Sequence, residues 1–319
     1  MICMVSPTYY LELPLLMGYM DLIQHPLFYV PNKDTYPPFK NGLYLEEYFL
    51  RRFAHEQPVL PRHYIPAPWT NFQIEHWFKY KRQEMQTALD DYISRHPSAG
   101  GYFTVVQHDD GPMLRLPKGT IVYGACSGDI PIPLIYEDTT STLDRVPKLP
   151  FADKPILCSF VGTMTHSVRN RIFERFSSNP QFQFYCVHGW SAVVNKNKQD
   201  TFISVTTQSK FAFAPRGYGR SSFRFFEILK LGTIPVYIWD DIEWLPYKDI
   251  LDYSKFSISL PLSRLGELES ILSSIDDVQY ATMLNEYNKV KHWFEFEGMY
   301  NYIIRDVSHC VEGGESYLT

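Results

Sequence analysis

Short apolar runs alternate with longer stretches of helical spacing along most of the chain. Residues 45–55 (LEEYFLRRFAH) read as a helix. Residues 71–95 form a longer one, with Phe72, Trp77, Phe78, Met85, Leu89 and Ile93 spaced for one face, and Gly100-Gly101 breaks it. The run 102–107 predicts a strand ending in His108-Asp109-Asp110-Gly111-Pro112. Further strands are predicted at 28–30, 120–125 and 132–136, with a strand end at 63–66. Residues 137–155 lack periodicity, carry three prolines and predict a linker. Beyond it, strands are expected at 156–161, 182–188, 211–214, 234–239 and 256–260. Helices are expected at 167–177, between the 211–214 and 234–239 strands as far as Gly232, and at 262–275 and 278–296. Strand–helix alternation on both sides of the linker predicts two α/β domains with mostly parallel sheets, 1–150 and 151–319, the last helix crossing back to the first.

Composition narrows the class. A chain of 319 residues, 45% hydrophobic, can build packed cores and argues against disorder. Its aromatic content, 23 Tyr and 22 Phe, is accounted for first by cores, with a sugar or base site as the sharper use. A net charge of −5 leaves no basic footprint for nucleic acid or an anionic membrane. Cys3, Cys126, Cys158, Cys186 and Cys310 are spread out with no CxxC pair, so reduced, buried thiols are expected rather than zinc or disulfides. No apolar stretch reaches the roughly 18 residues of a membrane span, and residues 1–30 contain no basic n-region. A soluble, cytoplasmic protein without an integral membrane segment is the expectation.

Candidate chemistry concentrates at residues 211–246. An apolar run meets Pro215, then a loop, Arg216-Gly217-Tyr218-Gly219-Arg220, then Ser221 and Ser222 at the start of a helix. A helix N-terminus carries unpaired N–H groups and partial positive charge, and two guanidiniums beside it suit a phosphate or diphosphate. Arg220, Arg224 and Glu227 are spaced i, i+4, i+7, which on a helix places them in one stripe. Arg220 is then expected on phosphate and Glu227 on the hydroxyls of an attached sugar. Arg224 stands open between a ligand contact and a surface ion pair with Glu227. Gly162, Thr163, His166 and Arg169 follow another strand end, and Arg169 is the candidate diphosphate contact there. His188, at the next strand end, reads as a satisfied loop histidine rather than a base contact. Asp240, Asp241 and Glu243 follow a third strand, and the aspartates either cap the next element or touch the sugar. No GxGxxG or P-loop pattern is present.

The run SKFAFAPRGYGRSSFRFFEILKLGTIPVYIWDDIEWLPY, 209–247, resembles the signature of the exostosin-like glycosyltransferases, glycosyltransferase family forty-seven: Pro-Arg-Gly loop, Ser-x-Arg-x-x-Glu helix, Gly-x-Ile-Pro-Val, Asp-Asp and Leu-Pro-aromatic. QHDDGP, 107–112, is similar to the family's His-Asp-aromatic element, with Asp110 in place of the aromatic. VRNRIF, 168–173, is similar to its first helix in the second half, which supports Arg169. The resemblance implies two Rossmann-like domains facing across a cleft (a GT-B fold), a nucleotide-sugar donor held by the second domain and an acceptor by the first, and inversion at the anomeric carbon. Members are usually membrane-anchored in the Golgi, so the chain is more similar to soluble enzymes encoded by large algal viruses.

Inverting transfer needs a base for the acceptor hydroxyl and a partner for the leaving diphosphate. Arg216, Gly219, Arg220, Ser221 and Ser222 form the expected diphosphate seat, with Arg169 and Glu227 completing donor binding. There is no Asp-x-Asp metal clamp, so the expected reaction needs no metal. Asp109 is the candidate base, with His108 and Asp110 as alternates, set against the reading that this segment is only a turn. The expected substrates are a UDP-sugar, with xylose the first choice, and an oligosaccharide or glycoprotein hydroxyl. The competing reading is a non-catalytic glycan- or nucleotide-binding protein that retained the fold.

Overall fold

A computed structural model describes residues 21–30, 43–137, 141–187 and 196–309. The first half opens with the short helix α1 (Asp21–Gln24) and the amphipathic helix α2 (Leu45–Glu56), which buries Leu45, Phe49 and Phe53 at four-residue spacing. β1 (His63–Tyr64), α3 (Trp69–Gln73), α4 (Phe78–Arg95), β2 (Tyr102–Val106), β3 (Ile121–Gly124) and β4 (Ile130–Pro131) follow. The four strands form a parallel sheet in the order β1-β2-β3-β4. Every residue of β2 is buried, as a parallel strand covered on both faces requires.

The second half contains β5 (Ile156–Thr163), α5 (Ser167–Phe176), β6 (Phe182–Val187), α6 (Lys196–Thr207), β7 (Ser209–Phe213), α7 (Phe223–Lys230), β8 (Ile234–Trp239) and β9 (Ile258–Pro261). Its sheet is also wholly parallel, in the order β6-β5-β7-β8-β9. Strand order reverses around β5, because β6 lies on one side of it and β7 on the other. The crevice beyond the carboxyl ends of β5 and β7 is therefore the topological switch point, where open α/β sheets seat ligands. The chain continues through α8 (Leu268–Ser274), α9 (Asp277–Val290) and α10 (Phe296–His309).

The α/β organisation with two parallel sheets is as the alternation predicts, while several elements differ. The helix expected over 71–95 is two, α3 and α4. Phe72 and Phe78 lie six positions apart, about 240° around a continuous helix, yet both bury in one cluster with ring centroids 5.8 Å apart. The turn between the helices makes that possible and leaves Ile74 exposed. The strand expected at 132–136 is absent: the ladder stops after Ile132 N–H donates to Gly124 O (3.0 Å), and the Ile135 N–H turns back onto Pro133 O (3.1 Å), so the backbone leaves the sheet. Residues 28–30 form turn and coil with Phe28 fully buried. α10, absent from the pattern reading, returns to the first half. Its Tyr300 ring packs on Phe49 at 5.1 Å, and Tyr123 Oη donates to Asp306 Oδ2 at 2.5 Å. A single apolar core includes Phe49, Phe103 and Tyr123 of the first half with Phe225, Tyr247 and Tyr300.

The segment expected as a linker ends in an anchor. Lys154 is buried, and its ammonium donates to Thr207 O (2.8 Å), Ser209 O (3.1 Å) and Thr233 Oγ1 (3.0 Å). Burial pushes this amine down to about 8. Cys126 and Cys158 are buried free thiols, and Cys186 is half-buried. Cys3, Cys310 and His188 lie outside the described residues. Among those described, no helix is long and apolar enough to cross a membrane.

Candidate active site

A cleft of about 630 Å³ opens at the switch point between the two sheets. That volume is within the range of small-molecule sites. From the second half it is lined by the end of β5 with Thr163 and Arg169, by Gly217, Tyr218 and Gly219, and by Ser221, Ser222, Arg224 and Glu227. The first half contributes Tyr44, Thr70, Ile74, Gln107, His108 and Asp109. Residues about a hundred positions apart in the chain thus face one space.

Asp109 sits at the meeting of the halves. Its side chain is exposed toward the cleft, although protein groups crowd it on the other sides. A Cβ built on Gly219 would come within 2.3 Å of Asp109 Oδ1 and 2.8 Å of Cys126 Sγ. The loop backbone approaches this carboxylate so closely that only glycine fits. Burial pushes the Asp109 carboxyl above its ordinary value, against a hydrogen bond from the Cys126 thiol and the attraction of His108 and Arg169. Burial likewise lowers His108, although Asp109 and Asp110 both favour its charged form. The Asp110 N–H points at His108 Nδ1 (3.2 Å), which makes that nitrogen the acceptor and places the ring proton on Nε2. Asp110 itself is exposed, does not line the cleft and contacts the Tyr218 hydroxyl at the rim.

The helix start is built as its sequence suggests, with one change of register. Ser222 is the N-cap, and its Oγ accepts from Arg224 N at 3.3 Å. Gly232, at φ 70°, closes the other end: its N–H reaches Leu229 O (3.0 Å) and the Thr233 N–H reaches Ile228 O (3.1 Å), a Schellman pattern. Because Ser222 caps the helix, Arg220 lies outside it, and the expected Arg220–Arg224–Glu227 stripe does not form. Arg224 and Glu227 share the cleft-facing side and pair with each other, and Tyr136 Oη donates to Glu227 Oε1 at 2.9 Å. Glu227 is only 3% exposed. The pair foreseen as a solvated alternative is thus a lining element of the cleft.

Arg216 and Arg220 do not line the cleft. Arg216 Nη1 donates to Asp240 Oδ1 (2.9 Å) and Asp241 Oδ1 (2.8 Å), and Arg220 Nε donates to Asp241 Oδ2 (2.8 Å). Arg220 also lies 5.6 Å from the Trp244 ring centre. Burial disfavours the Asp241 charge, but hydrogen bonds from Arg220 and the Ile242 N–H, with Arg216 nearby, hold its carboxyl down at about 2. The two aspartates at the end of β8 therefore draw both loop arginines aside. Neither caps a helix there.

Arg169 lines the cleft as expected, but its guanidinium also ties the walls together. It donates to Thr163 O (2.6 Å), Arg216 O (3.0 Å) and Pro215 O (3.3 Å), which fixes the end of β5 to the loop after β7. His166 caps α5 through Val168 N (3.3 Å) and is not part of the lining. Among the described residues, no group of three or more His, Cys, Asp or Glu is placed to hold a metal ion. Tyr44, Thr70 and Tyr136 had no signal in the sequence pattern. Arg224 did, because Ser-x-Arg-x-x-Glu names it and the capping serine fixes its phase.

Comparison with known proteins identifies the family of the chain. A sequence profile described as the Exostosin GT47 domain matches residues 94–275, from the end of α4 past β9. A probable glucuronosyltransferase of Oryza sativa subsp. japonica is 24% identical over 293 residues, covering 76% of this chain and 64% of that protein. A probable glycosyltransferase of Arabidopsis thaliana is 28% identical over 170 residues, 52% of this chain and 31% of its own length. The probable arabinosyltransferase ARAD1 of Arabidopsis thaliana is 32% identical over 107 residues, 32% of this chain and 24% of its own. The chain thus spans less than two thirds of each of these relatives. The solved structure of TarM overlaps 69% of this chain and 53% of its own at 10% identity, with a TM-score of 0.37.

Proposed function

Because the chain belongs to the Exostosin GT47 domain family, we propose that it is a glycosyltransferase that moves a sugar from a UDP-sugar to a hydroxyl of an oligosaccharide or glycoprotein glycan. The observation that carries the reading is the cleft itself, which sets Asp109 of one half opposite Arg169, Ser221, Arg224 and Glu227 of the other. In this reading residues 1–150 hold the acceptor and 151–319 the donor.

The proposed reaction inverts the anomeric carbon. The acceptor oxygen bonds to that carbon as the bond to the diphosphate oxygen breaks, and the acceptor proton passes to Asp109. A carboxyl whose affinity for protons is raised by burial suits that task better than an ordinary one. Charge on the departing diphosphate meets Arg224, Arg169 and the Ser221 hydroxyl beside the first N–H groups of α7. Glu227 accepts from the donor sugar's hydroxyls while Arg224 holds it in place. Arg216 and Arg220 join this seat on donor binding if the diphosphate displaces Asp240 and Asp241. Metal independence is part of the proposal: those two aspartates are engaged by arginines, so cations on side chains take the place of a metal clamp.

Thermal unfolding with UDP tests the donor half of this reading. UDP raised to roughly 1 mM, the upper end of ordinary KM values, is expected to raise the Tm equally with and without chelator. No shift overturns nucleotide binding, and a shift abolished by chelator overturns metal independence. UDP-xylose, UDP-glucuronic acid and UDP-arabinose, compared in the same way, rank the sugar. The last two match what the names of the relatives say of those proteins.

A further inference from the structure

The His108–Asp110 turn is exposed at the cleft, yet its flanks are held by buried polar side chains that catalysis does not use. Glu46 of α2 is 1% exposed. Its Oε1 accepts from the Gln107 N–H (2.5 Å) and the Thr70 hydroxyl (2.9 Å), and its Oε2 from the Thr70 N–H (2.8 Å). Gln107 answers by accepting from the Leu45 N–H at 3.2 Å, so α2 and the end of β2 hold each other. On the far side of the turn Gln73 of α3 is 7% exposed. Its Nε2 donates to Gly111 O (3.0 Å) and its Oε1 accepts from the Met113 N–H (2.7 Å). Gly111, at φ 70°, closes the turn between the two attachments.

A buried carboxyl is an expensive way to fill a core: burial pushes Glu46 up, while the hydrogen bonds from Gln107 and Thr70 favour its ionised, accepting form. Each of its contacts aims at a backbone or hydroxyl group next to the cleft, and Thr70 and Gln107 line it themselves. Fully satisfied buried polar groups fix one geometry, and catalytic groups need such support.

We propose that Glu46 and Gln73 are positioning residues, two buried clamps that hold the His108–Asp110 turn so that Asp109 meets the acceptor hydroxyl at a productive angle. The proposal rests on the reading of Asp109 as the base. Its mark is a loss in turnover without a loss in donor binding, because neither clamp touches the donor side.

Glu46→Gln keeps the side chain's size but turns an amide donor toward other donors, and Gln73→Met removes both bonds to 111 and 113. Each is expected to lower kcat for transfer by between about 10- and 100-fold, the scale of a small misplacement of a catalytic group, with donor KM and UDP affinity unchanged. Transfer within about twofold of the wild type in both variants overturns the proposal, as does a loss shared equally by kcat and UDP affinity. If Glu46→Gln does not fold, Gln73→Met decides alone. Asp109→Asn measured beside them separates the two claims. Wild-type transfer by Asp109→Asn removes the base assignment, whereas an inactive Asp109→Asn beside fully active clamp variants removes only the clamps.

Discussion

Asp109→Asn is expected to lower sugar transfer by about 10²- to 10⁴-fold, the range that a positioned general base supplies, while UDP binds as tightly as before. The amide is nearly isosteric, so the close packing of Gly219 and Cys126 on this side chain survives and the lost quantity is proton affinity. Single-turnover rates beside UDP titrations separate the two effects. The same carboxyl sets the acid limb of the pH profile. Asp109 must be ionised to accept a proton, and burial raises its titration above the ordinary carboxylate value. Transfer by the wild type is therefore expected to fall as pH drops through that raised value, at a higher pH than a carboxyl without such crowding would give. Equal transfer by Asp109→Asn would sink the assignment.

Glu227→Ala is expected to destabilise the fold by about 3 kcal/mol, the lower end of the cost of removing one partner from a buried ion pair. The lower end applies because Glu227 is 3% exposed but its partner Arg224 retains 24%. The substitution also leaves the Tyr136 hydroxyl without this acceptor and opens space beside α7. Chemical denaturation measures the loss. Arg224→Ala should cost at least as much, because the charge it leaves behind is the more buried of the two, even with Tyr136 still donating to it. A Glu227→Ala loss below about 1 kcal/mol would mean that the pair is solvated, as an ordinary surface pair is.

Much of the second half was legible in the sequence because its signals are local. An eight-residue helix between a capping serine and a left-handed glycine can be read from residues 222–232 alone, as can the apolar strands on either side. Helical spacing also placed Arg224 and Glu227 on one face. What failed there was the phase of one residue: counting from Arg220 takes the helix to start before its cap. The pairing of Arg216 and Arg220 with Asp240 and Asp241 was hidden for another reason. It joins the ends of β7 and β8, which are neighbours only once the sheet exists.

The first half was harder because its contacts are long-range. The turn at 108–110 was recognisable from its composition, whereas Glu46, Thr70 and Gln73 gave no sign of serving it. They lie on helices about 35 to 65 positions earlier and act through backbone groups, which leave no pattern in side-chain type. The missing strand at 132–136 shows the opposite error. Apolar content suggested pairing, but after Ile132 the backbone turns back on itself, the Ile135 N–H bonding to Pro133 O, and leaves the sheet.

The cleft sets Asp109 on one wall opposite cationic and hydroxyl groups on the other, and the account stands or falls on whether both act in one turnover. The direct measurement is mass-spectrometric detection of a glycosylated product when the protein, with chelator present, is given a UDP-sugar and an oligosaccharide acceptor. The account expects wild-type protein to release UDP and product in equal amounts with the anomeric configuration inverted, and Asp109→Asn to bind UDP without forming product. UDP binding by the wild type with no product from any donor–acceptor pair, or product with retained configuration, would contradict it.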